Sequence, residues 1–165
     1  AIITAPASVR SVGEAVMAAD RLLETAKAQA DAQVSERNAR EKAELMRQLG
    51  MEEGESATKA SRTMIRQLEE DQKRRSKRAL TDAIDRALID LLAIYRDVLM
   101  VQVGGDGELI NTDLSELVHQ IAHDSTPHQT LARIDHIETA RKRLVLNGNP
   151  LLVLEDMAIS LRPQA

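Results

Sequence analysis

The sequence predicts an all-α fold, a five-helix bundle that includes one long antiparallel helical hairpin. Three observations lead there. The 165 residues contain a single aromatic side chain, Tyr95, and no Phe, Trp or Cys, so the core is built from Leu, Ile, Val, Met and Ala, and a β-sandwich or barrel is disfavoured. Seven glycines and four prolines sit where helix ends would fall. They leave two uninterrupted stretches, 14–49 and 56–103, far longer than an average helix.

The first stretch opens with Ser11-Val-Gly-Glu14, the spacing of a capping box in which each side chain satisfies an orphan amide of the other residue. Val16, Ala19, Leu23, Ala26, Ala30 and Val34 then alternate by three and four along one stripe. The stripe fades from Ser35 to Glu44 and returns at Leu45, Met46 and Leu49. The second stretch mirrors this order, with Met64, Ile65 and Leu68, a polar middle from Glu69 to Arg78, and a strong stripe through Leu80, Ile84, Leu88, Leu91, Tyr95 and Val98.

Folding the chain back between Gly50 and Thr63 brings positions whose numbers sum to about 113 opposite one another at antiparallel helical spacing. Leu45 to Leu49 then face Leu68 to Met64, Val34 faces Ala79, Ala30 faces Ala83, and Leu22 and Leu23 face Leu91 and Asp90. The charges agree, with seven acids and four bases over 31–55 against eight bases and three acids over 59–78. Each exposed pair contributes a few tenths of a kcal/mol, roughly. The expected form is a charged hairpin at 31–78 that projects about 30 Å or more from the rest of a single domain.

Three shorter helices follow the Gly104-Gly-Asp-Gly107 turn. Thr112 or Asn111 caps a helix over 113–124. Thr126-Pro-His-Gln129 combines a cap, a proline at the first helical position and a capping-box glutamine for a helix over 127–147. Its stripe reads Leu131, Ile134, Ile137 or Glu138, Arg141 and Leu144. Asn149-Pro150 repeats the cap and proline for a last helix over 150–161, with Leu151, Leu154, Ala158 and Leu161 on one face.

Composition narrows the function. A formal charge of −4 lacks the overall basic character of a nucleic-acid-binding domain. The absence of cysteine excludes a disulfide framework and a Cys nucleophile and fits a reducing, cytoplasmic setting. No apolar run approaches a transmembrane length, so no membrane association is expected. Ala1 at the first position is what a segment of a longer protein would show.

Chemistry-bearing constellations are sparse. The 104–107 turn lacks the lysine and hydroxyl of a phosphate-binding loop. His119 and His123 share a helix face at i, i+4 but have no evident third ligand, so exposed histidines are favoured over a metal site. Asp82, Asp85 and Asp90 have no cleft to separate their pKa values, and Arg78 and Arg86 make surface pairs the simpler expectation. No cofactor, metal or catalytic residue is expected. The run Lys73, Arg74, Arg75, Lys77, Arg78 is the one exposed feature suited to nucleic-acid phosphates. A solvated face balanced by Glu36, Glu41 and Glu44 of the facing helix is favoured over that alternative. Arg141 and Glu155, on two helices joined by a tight turn, form either a half-buried pair or two separate surface charges.

Four segments, Tyr95-Arg-Asp-Val-Leu99, Leu109-Ile-Asn-Thr-Asp113, Ile134 to Leu144 and Asn147 to Glu155, occur in an order and spacing that resembles the C-terminal collar domain of bacterial DNA polymerase III clamp-loader subunits. The likeness is greatest to the delta-prime branch. It covers about residues 80–162, and the long hairpin is similar to the elaborated collar of actinobacterial members. The family pattern falls on Arg96 and Asp97, on Ala140, Arg141 and Leu144, and on Asn149, Pro150 and Glu155, with Asn111 and Asp113 beside them. Val98 stands where the family more often has Leu. The resemblance implies a collar-type fold and a non-catalytic oligomerisation role in a five-subunit clamp loader, with gamma/tau and delta chains as partners in DNA replication. It implies that these residues hold helix ends and helix contacts, and that nucleotide chemistry lies in modules outside this chain.

Overall fold

The computed structural model describes residues 9, 11–50, 58–105 and 107–162. Among them five α-helices and one short 3-10 turn account for the regular structure, and no strand occurs. The helices are α1 (Val12–Gln48), α2 (Lys59–Gln102), α3 (Ser115–His123), α4 (Pro127–Val145) and α5 (Pro150–Ser160). The all-α expectation holds, and so do both long helices, each within three residues of its predicted ends.

The chain divides into two compact units, Ala1–Ala26 with Ile84–Ala165, and Lys27–Ala83. In the first, Ile84, Leu88, Leu91, Ile94, Tyr95 and Val98 of α2 are buried together with Val118, Ile137 and Leu154 of the three shorter helices. The α2 stripe is therefore a core stripe. Ser11 and Glu14 close the capping box on α1, each side chain accepting from the other's amide at 3.1 and 3.3 Å.

The second unit is an antiparallel helix pair in the predicted register. Ala30, Val34 and Ala79 form a small buried cluster with Leu80 against it. Further along, Leu45, Leu68 and Met64 line an open groove of about 370 Å³. Just past α1 stands Gly50, whose φ of 62° is left-handed and suits glycine after a helix C-terminus. Helix α2 starts under Thr58, whose hydroxyl accepts from the Ser61 amide at 3.2 Å. Residues 51–57 of the predicted bend lie outside the described residues, as does Asp106 of the glycine turn.

Two boundaries move. The helix expected from 113 begins as a 3-10 turn, Thr112–Leu114, and becomes α3 only at Ser115, because neither candidate cap serves it: Asn111 makes no side-chain cap bond. Its amide is spent elsewhere, on Asp97. Helix α4 stops at Val145, two residues short of the expected end, because Asn147 adopts a left-handed φ of 63°.

Candidate functional site

Asp97 is the most completely enclosed charged residue described, with no exposed surface. It sits on α2 one turn before the helix ends, where the chain must leave for the 104–111 connection. Its Oδ1 accepts from the Ile110 amide at 3.1 Å and from Arg96 Nη1 at 2.8 Å. Its Oδ2 accepts from the Asn111 amide at 2.8 Å and from Asn111 Nδ2 at 2.9 Å. Arg96 also donates to the Glu108 carbonyl at 3.2 Å. Burial pushes the Asp97 carboxyl up, but the Asn111 and Ile110 amides, with Arg96 and the Asn111 side chain, outweigh it and hold it below its ordinary value. The Arg-Asp pair and Asn111 thus clamp the connection to the end of α2. Asp113 lies exposed in the 3-10 turn and takes no part in the clamp.

One turn further, Gln102 makes a second anchor. Its Nε2 donates to the Ser125 carbonyl at 2.7 Å, and its Oε1 accepts from the buried Thr130 hydroxyl at 2.8 Å. Arg133, also buried, lies over the Tyr95 ring at 5.9 Å, a geometry in which the ring face attracts the cation. Tyr95 Oη is buried without a hydrogen-bond partner among the described residues, and burial pushes its pKa up to about 12 against a weaker pull from Arg133.

These contacts correct the α4 stripe. The buried positions are Thr130, Arg133, Ile137, Ala140 and Leu144, one residue earlier than predicted at Thr130, Arg133 and Ala140. Leu131 is 49% exposed. A hydropathy stripe rejects Thr and Arg as core residues, yet Thr130 bonds half-buried Gln102 and Arg133 lies over buried Tyr95, both on α2. Gln102, Thr130 and Arg133 were therefore missed; the signal for Thr130 and Arg133 was their three-and-four spacing with Ile137, and Gln102 on α2 carried none.

The α4–α5 turn explains Asn147-Gly-Asn-Pro residue by residue. The Gly148 amide donates to the Arg143 carbonyl at 2.9 Å and the Asn147 amide to Leu144 at 3.1 Å, the paired bonds of a Schellman end with asparagine in the left-handed position. A Cβ on Gly148 would stand 2.9 Å from the Arg143 carbonyl oxygen, so only glycine fits. Asn149 Oδ1 then accepts from the Leu151 and Leu152 amides and Pro150 opens α5. Leu144 is buried at the end of α4.

Arg141 does not pair with Glu155. Its Nε donates to Asp85 Oδ1 at 2.7 Å and its Nη1 to Glu138 at 3.2 Å. The bond from Asp85 raises the Arg141 pKa. Arg141 projects toward α2, whereas no hydrogen bond or ion pair to half-buried Glu155 occurs among the described residues. Instead Arg143 and Asp156 link α4 to α5. Asp85 is therefore also not the local surface pair of Arg78 or Arg86 that its spacing suggested.

In the basic run, Arg75 alone turns inward. Its Nη1 donates to Asn38 Oδ1 at 2.7 Å and Glu41 Oε2 at 2.8 Å. Hydrogen bonds from Arg75, then Arg37, hold the Glu41 pKa down to about 2. Of the three glutamates expected to balance the run, Glu41 bonds Arg75 across the helix pair. Glu36 pairs with Arg40, and Glu44 with Arg47, because partners three or four residues away on the same helix are closer than the facing one. Lys73, Arg74, Lys77 and Arg78 remain exposed.

His119 Nδ1 donates to its own-turn Ser115 carbonyl at 2.8 Å, and His123 meets neighbouring Asp124. Among the described residues no three metal-ligating side chains converge, and no helix is long and apolar enough to cross a membrane. The arrangement fixes loops and helix ends.

No protein-family model matches the chain, and no solved structure matches it. Over 72 residues it is 38% identical to the DNA polymerase III subunit delta′ of Bacillus subtilis (strain 168), a stretch that is 44% of this chain and 22% of that protein. The match shows distant homology to a bacterial delta-prime-like protein, and it spans about a fifth of that relative.

Proposed function

We propose that the chain is a non-catalytic oligomerisation domain, the collar, of a delta-prime-type DNA polymerase III subunit. In this role it joins gamma/tau and delta chains side by side in the cytoplasm and holds a clamp-loader pentamer together for loading the sliding clamp during replication. The hairpin at 31–78 is an extension of that one domain, of the kind found in actinobacterial collars. The observation that carries the proposal is the 38% identity over 72 residues to a delta-prime chain.

The local physics supports it. Arg96, Asp97, Asn111, Asn149 and Pro150 secure a connection and a helix start, which is scaffold work. The test is a pull-down of the chain with the gamma/tau collar from the same organism at micromolar concentration, with full-length chains as the positive control. Association is expected, and ATP turnover by this chain alone is not. Failure to associate while the full-length chains do, or measurable turnover, overturns the proposal.

A further inference from the structure

Two side chains, Gln72 and Arg75, fix which way α2 faces within the hairpin. Gln72 donates to the Asn38 carbonyl at 2.8 Å, and Arg75 bonds Asn38 and Glu41. Three residues apart, they share one helix face with Ile65, Leu68 and Ala79, which are all half-buried or buried. At 3.6 residues per turn, the opposite face carries Arg62, Arg66, Lys73, Arg74, Lys77 and Arg78. All six are exposed. Between them on that arc lie only Thr63, Gln67 and Glu70, and Glu70 bonds Arg66 at 3.1 Å.

We propose that this outer face of α2 binds the phosphate backbone of double-stranded nucleic acid without reading its sequence. Six cations spread over about 24 Å of helix meet a ligand that carries a charge roughly every 3.4 Å on each strand. No apolar or aromatic side chain interrupts the arc. A membrane-surface helix needs an apolar face, a protein interface needs an apolar or aromatic centre, and a single strand is held by stacking on aromatic rings. A duplex backbone needs none of these. Exposed pairs such as Arg66 with Glu70 and Arg74 with Asp71 are weak enough to be exchanged for phosphates. The inward turn of Arg75 serves the site by holding the other cations outward. This binding is independent of any collar role, since it uses residues 62–78 alone.

The test is fluorescence anisotropy of the 165-residue chain on a labelled duplex of mixed sequence. Four phosphate contacts predict an affinity loss on the order of 100-fold between about 50 and about 200 mM salt. Replacing Lys73, Arg74, Lys77 and Arg78 by Glu should abolish binding with helical circular dichroism retained, and Arg74→Lys with Arg78→Lys should keep it, because a phosphate needs only the charge. Lys142→Glu, exposed on α4, should leave it within about twofold, because that charge is not part of the 62–78 arc. Should the four glutamates unfold the helix, four glutamines read the same loss. No binding at low salt, binding that ignores salt or the reversal, or competition by poly-glutamate equal to that of unlabelled duplex would each overturn the proposal, the last in favour of an acidic protein.

Discussion

The two compact units are held by different forces. In the unit that contains 84–162, Ile84, Leu88, Leu91, Ile94 and Tyr95 are buried almost completely, and Asp97 and Thr130 are buried with their hydrogen bonds made. In the unit 27–83 the buried apolar seam is Ala30, Val34, Ala79 and Ala83, and much of the rest is exposed ion pairing. A buried Leu or Ile contributes about 1.5–3 kcal/mol and a methyl-sized group only about 0.8, so the first unit rests on its core and the second on register. The difference teaches where change is tolerated. Every residue of the collar-like pattern from Arg96 to Glu155 lies in the well-packed unit, whereas the thin-seamed pair leaves a whole face of α2 free to carry charge.

The largest contrast should come from the two cores. Leu88→Ala should cost about 3 kcal/mol and Val34→Ala about 1 kcal/mol, measured by urea unfolding. Equal losses would erase the distinction between the units. Next, Asp97→Ala should cost about 2 kcal/mol, because it strands the Ile110 and Asn111 amides. The same carboxylate sets a pH dependence. Its folded pKa is depressed below the ordinary 3.8, so its contribution is complete above about pH 4 and is lost as pH falls through the lowered value. The acid limb of the stability curve should therefore be shallower in Asp97→Asn than in the unchanged chain.

Tyr95→Phe should be neutral or stabilising by up to about 1 kcal/mol, since it removes a buried hydroxyl that has no partner. A double-mutant cycle on Arg141 and Asp85 should give about 0.5 kcal/mol of coupling for this half-exposed pair, and one on Arg141 and Glu155 none. The smallest effect belongs to the hairpin's surface. Glu41→Gln should lower stability slightly at low salt and negligibly at high salt, as read by thermal unfolding; a salt-independent loss would place its role in packing instead.

Much of this architecture was legible because it rests on local signals. The capping boxes at Ser11 and Thr126, the Asn149-Pro150 helix start and the facing of Val34 with Ala79 all follow from spacing along one or two helices. What the spacing could not show were partners distant in sequence. Arg141 took Asp85 from a helix 56 residues earlier, and Asn111 was drawn from capping to Asp97. The α4 stripe failed for the same reason: Thr130 and Arg133 are core residues only because Gln102 and Tyr95 wait for them on α2.

The proposed collar role makes the well-packed unit the assembly surface. Hydrogen exchange of the chain, alone and with the gamma/tau collar, tests it most directly. The account predicts new protection in amides between 84 and 162 with 27–83 unchanged; protection confined to 27–83, or none in either unit, would contradict it.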